Sequence, residues 1–141
     1  MRRFSRRPFR IADSAQQIVG GFLLAGPFVV TEEVWVLAEN MSTVQTLVTV
    51  MIVFGVGYAA LYKAAGRDPD DEFDVGGIPA RFLSLMLVAY GAVIVLALAF
   101  GAPGTFLAAL SGLERLVVTA KAIAVGSVFS VVGAATADSV F

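Results

Sequence analysis

Two adjacent carboxylates, Glu32 and Glu33, stand in a stretch otherwise apolar enough to cross a bilayer, IVGGFLLAGPFVVTEEVWVLA over residues 18–38. A charge at membrane depth is costly, and such residues face a bundle interior or a water-filled path. Thr31 precedes them with a hydroxyl, and Gly26-Pro27 lies about one turn earlier. Pro27 has no N–H for the carbonyl of Leu23, and its ring clashes there, so a break near mid-span is predicted. Carbonyls freed at such a break can line an ion site. The chain has no Cys and no His, which removes thiolate metal sites, disulfides and imidazole proton shuttles. Carboxylates, hydroxyls and carbonyls remain, and these suit hard cations and protons. Glu32, Glu33 and Thr31 are therefore the candidate ligands for a monovalent or divalent cation or a proton, with Gly26 and Pro27 as the helix break. The identity of any metal is open. Lys121 lies at a matching depth in a later apolar segment, which makes it the candidate ion-pair partner of one Glu. Ser127, Ser130 and Asp138 are secondary polar positions on that segment.

The elements that must hold these residues are membrane helices. Of the 141 residues, 58% are hydrophobic, above the 45–50% usual for a soluble domain. A spanning helix needs roughly 20 apolar residues. Four segments qualify, at about 18–38, 44–62, 82–100 and 116–137. The reading is an all-α polytopic membrane protein. Residues 1–15 form a basic tail, residues 16–141 form one four-helix domain, and the loop 63–81 is acidic. A net charge of −1 points to no nucleic-acid partner. No cofactor is implied. The partners are the lipid bilayer and, because four helices enclose little volume, further copies of the chain in a homo-oligomer.

Local signals refine this picture. Arg2, Arg3, Arg6, Arg7 and Arg10 precede the first segment, and Lys63, Arg67 and Arg81 fall in the second connection. That bias places both termini in the cytoplasm and the protein in the cell membrane. Asp13 is a candidate N-cap, with Gln16 reaching back. Trp35 shares a side with Phe28 and Leu24, a lipid-facing belt position. Gly126, Ser130, Gly133 and Ala137 form a small-residue stripe suited to close helix contact. The loop residues Asp68, Asp70, Asp71, Glu72 and Asp74 lack the spacing of a calcium-binding hand.

The stretch GGFLLAGPFVVTEEVWVL and the closing VVGAATADSV resemble a family of small prokaryotic integral membrane proteins frequent in haloarchaea. The likeness covers most of Gln16–Phe141, and its recurring element is Pro27, Thr31, Glu32, Glu33 and Trp35. It implies membrane location and a halophile source, and it adds no reaction. No nucleophile–base pair or phosphate loop is visible, so an enzyme is not expected. The leading expectation is an oligomeric cation channel built on the intramembrane carboxylates. The alternatives are an accessory or structural subunit whose Glu–Lys pairs fix helix packing, and a small proton-coupled transporter.

Overall fold

Apolar segments that leave water must satisfy every backbone group internally, which in lipid favours helices. The computed structural model describes residues 9–71 and 73–140 and is mostly helical. Four arginines of the basic tail and Glu72 of the acidic loop lie outside the described residues. The elements are α1 (Ile11–Val29), α2 (Glu32–Asn40), α3 (Thr43–Tyr58), a π-helical continuation (Ala59–Ala64), a two-residue hairpin of β1 (Asp74–Val75) and β2 (Ile78–Pro79), α4 (Ala80–Ala99), α5 (Ala102–Phe106) and α6 (Gly112–Val140). Among the described residues, three helices are long and apolar enough to cross a membrane: α3 with its π turn, α4, and α6. The pair α1 and α2 passes the same test only together, and it is bent by 79°.

The bend divides the expected 18–38 span into two helices. The break falls at Val30-Thr31, after Pro27 rather than at it. Pro27 is accommodated in the last turn of α1. Thr31 then adopts an extended backbone (φ −104°, ψ 132°) and starts a new helix whose first turn carries Glu32 and Glu33. The residue types explain the restart. A threonine followed by two acids is a helix-start pattern, because carboxylates are favoured at the positive end of the helix dipole. The helix itself begins at Ile11, so Asp13 sits inside the first turn rather than at the N-cap. Its carboxylate still accepts from the N–H of Arg10 at 2.9 Å.

The core is the three-way contact of α1, α4 and α6. There α1 and α6 run antiparallel with their backbones almost touching. A Cβ placed on Gly20 would collide with the carbonyl oxygen of Gly133. Only glycine permits that approach, and in lipid it is packing of this kind that holds helices together. One cluster of buried side chains, with Ala25, Trp35, Val93 and Ala122, fills the end near the bend. A second, with Leu61, Leu85, Ala89 and Val131, fills the opposite end. By contrast α3 lies on the outside, with Leu47, Val48, Met51 and Ile52 exposed.

Candidate functional site

Charge gathers where the start of α1, the start of α4 and the end of α6 meet. Arg81, in the first turn of α4, is 2% exposed. Its Nη1 donates to both carboxylate oxygens of Asp138 on α6, at 2.7 and 3.0 Å. Its Nη2 donates to Asp13 on α1 at 3.3 Å. The Phe9 ring lies beneath the guanidinium, with 5.2 Å from Cζ to the centroid, close enough for a cation–π contact. Around this centre, Arg67 approaches Asp138 at 3.9 Å, and Arg10 approaches Asp13 at the same separation. Positive and negative groups thus alternate as Arg10, Asp13, Arg81, Asp138 and Arg67. One turn deeper, Ser84 donates to the Oε1 of Gln17 at 2.6 Å and shares a hydrogen bond with Ser14.

Two of these charges sit at the unfavourable end of their helix. A cation is disfavoured in the first turn and an anion in the last, yet Arg81 opens α4 and Asp138 closes α6. Mutual pairing offsets both penalties and fixes three helices in one register. A planar guanidinium suits this role because its fork meets carboxylates in fixed geometry.

The other end of the bundle is built differently. Glu32 and Glu33 are exposed on the first turn of α2, and the Thr31 hydroxyl donates to Glu33. They do not line the bundle interior, which corrects their expected inward orientation. Lys121 does not pair with either. Its Nζ donates to the carbonyl of Met41 at 2.6 Å, at the C-terminal end of α2, so the expected Glu–Lys pair is replaced by a helix cap. Favourable charge at helix C-termini accounts for this. Trp35 is 2% exposed rather than lipid-facing. Its indole N–H donates to the carbonyl of Val29 at 2.9 Å, capping the end of α1, and its ring stacks on Phe106 of α5. Gly26 has open space beside its Cα, with nothing within 4 Å of an added Cβ.

The secondary polar positions divide. Ser130 reaches across from α6 to the carbonyl of Gly21 on α1 at 3.3 Å. Ser127 bonds within its own helix, to the carbonyl of Ile123. Asp138 belongs to the buried charge network. Sequence reasoning gave Asp13 to a cap and Arg81 to topology, and so missed their partnership. A signal that could have found the network is that Arg81 and Asp138 both sit at the wrong ends of their helices. Among the described residues, no group of three or more acidic residues gathers to hold a metal ion.

Over residues 7–139 the chain matches the family described as "Putative integral membrane protein (DUF2391)", and it belongs to that family. No curated protein and no solved structure matches it.

Proposed function

We propose that this member of the integral membrane family is an accessory or structural multi-pass subunit, with a buried charge network fixing the register of its helices. One observation carries the reading: a single buried arginine on α4 bridges carboxylates on α1 and α6. The network takes over the packing role that the sequence assigned to Glu32, Glu33 and Lys121. Backbone contact between Gly20 and Gly133 leaves no room for an ion between α1 and α6 at that level. Both termini face the cytoplasm on this reading, with Arg10, Lys63, Arg67 and Arg81 grouped at one end in accord with the positive-inside bias. The host membrane is the cell membrane.

A second reading keeps the oligomeric cation channel. It is favoured by the exposure and adjacency of Glu32 and Glu33 on the first turn of α2, where a ring of copies could present them to a shared axis. A proton-coupled transporter would use the acids at the α1–α2 bend or the buried carboxylates of Asp13 and Asp138. Ion flux into liposomes separates these readings. Purified protein is tested with K⁺, Na⁺, Ca²⁺ and proton gradients beside Glu32→Gln and Glu33→Gln. The accessory reading expects no flux above empty vesicles for any ion, with intact protein recovered from the same vesicles. Flux that either substitution alters would overturn it in favour of the channel.

A further inference from the structure

The helix α3 closes on the bundle at one end and stands away from it at the other. At Gly57 it lies against its neighbours, where an added Cβ would meet the side chains of Met86 and Val131. Val53, one turn earlier, is buried. Toward the start of the helix, Val44 and Val48 are exposed. The divergence leaves a groove of about 450 Å³ between α3 and α6, within the size range of ligand sites. Val44, Val48 and Ile52 form one wall, and Val125, Val128 and Phe129 form the other. The hydroxyl of Thr49 is turned back onto the carbonyl of Gln45 at 2.8 Å, so it presents no free donor to the groove.

Polar groups stand at the mouth of this apolar groove. Met41 and Gln45 line it there. Lys121 lies one turn before Val125 on α6, and helical side chains lean toward the helix N-terminus, here toward the mouth. Its Nζ donates to the Met41 carbonyl at 2.6 Å. An ammonium has three N–H donors, and among the described residues no carboxylate pairs with this one. The Gln45 amide oxygen accepts from the N–H of Ser42 at 2.8 Å, so what this side chain offers a ligand is its two N–H donors. Depth fits the same division. With its π turn α3 has 22 residues and covers about 33 Å, against a hydrocarbon core of about 30 Å, so its first residues reach headgroup level. From Val44 to Ile52 the groove descends about 12 Å, close to the depth of one leaflet's chains.

We propose that this groove is a binding site for one membrane phospholipid, with the phosphate on the Lys121 ammonium and the Gln45 amide and one acyl chain laid between α3 and α6. A phosphate supplies both the negative charge and the acceptor oxygens that the unpaired cation lacks, and basic sites between membrane helices recognise lipid headgroups in this way. The acyl chain fills a gap whose walls would otherwise forgo their dispersion contacts. A helix of a second copy is about 10 Å wide and needs a trough along the whole of α3, whereas this groove closes at Gly57. The site lies at the opposite end of the bundle from Arg81, and it serves a subunit or a channel alike.

Native mass spectrometry of the full chain in detergent tests this, with dioleoyl phosphatidylglycerol and the phosphate-free dioleoylglycerol as probes. The expected result is a phosphatidylglycerol adduct that saturates at one lipid per chain, with dioleoylglycerol at least about tenfold weaker, as loss of a charge-assisted hydrogen bond requires. Lys121→Gln should bring phosphatidylglycerol down to the dioleoylglycerol level, and Lys121→Arg should retain it. Val48→Trp fills the groove at an exposed position and should remove both adducts with Lys121 still in place. Leu47→Trp, exposed on the neighbouring face of α3, should change neither. Circular dichroism confirms that each variant keeps its helices. Adducts that never saturate, or that persist unchanged in Lys121→Gln or Val48→Trp, overturn the proposal, because the lipid is then only part of the general annulus. A dimer that Val48→Trp disperses also overturns it, in favour of a second copy on this face.

Discussion

At one end of the bundle Arg81 is sealed from solvent and joins three helices. At the other, Glu32 and Glu33 are exposed, and Glu33 bonds within its own turn. Both ends hold charge, yet only the first uses it between helices. A buried charge must find its partner across the fold, because an uncompensated one is severely destabilising. An exposed charge needs only to suit its helix terminus. The difference teaches that depth in the sequence pattern is a poor guide to depth in the fold. Glu32 and Glu33 lie inside an apolar run and end up outside the core, whereas Asp13 and Arg81 lie outside the apolar runs and end up inside it.

The contrast predicts a large asymmetry between Arg81 and Lys121. Arg81→Leu leaves Asp13 and Asp138 buried without their shared cation, and should cost about 3–5 kcal/mol. Lys121→Leu removes one half-buried cap bond and should cost about 1 kcal/mol. Thermal unfolding of both variants in the same detergent measures the gap, and equal losses would erase the distinction between the ends.

Glycines sharpen it further. Gly20→Ala forces a Cβ into the Gly133 carbonyl and should cost about 1–3 kcal/mol as the helices separate. Gly26→Ala meets open space, and alanine's better helix propensity should make it neutral or stabilising by about 0.5–1 kcal/mol. Chemical denaturation of the two variants checks both signs.

Trp35→Phe keeps an aromatic ring beside Phe106 but leaves the Val29 carbonyl without its donor. A loss of about 1 kcal/mol is expected, with increased protease cleavage between α1 and α2 and not around Arg81.

Salt gives the smallest effect. Exposed charges are screened over about 8 Å at physiological ionic strength. Raising salt should therefore reduce any stability difference between wild type and Glu33→Gln, while the Arg81→Leu deficit stays constant. Unfolding at low and high salt measures both.

Much of this fold is legible in the residues. The apolar segments at 44–62, 82–100 and 116–137 locate α3, α4 and α6, because lipid leaves hydropathy as the dominant signal. The stripe of Gly126, Ser130, Gly133 and Ala137 lies on α6, where Gly133 meets Gly20. The position of the bend was not legible from Pro27, because the backbone breaks after it, at Val30-Thr31. Its true mark is Thr31-Glu32-Glu33, a helix-start pattern hidden by the hydrophobic run around it. The charge network was hidden for another reason. Its partners are separated by 57 and 68 residues, and each has a sufficient local explanation: Asp13 as a cap, Arg81 as a topology signal, Asp138 as a terminal polar residue.

The measurement that tests the account most directly is a double-mutant cycle on Arg81→Leu and Asp138→Leu, read as unfolding free energy in detergent. If the pair pins α4 to α6, the double variant loses far less than the sum of the singles, with a coupling energy at the upper end of the roughly 0.5–3 kcal/mol seen for residues in contact. Strictly additive losses would contradict the account.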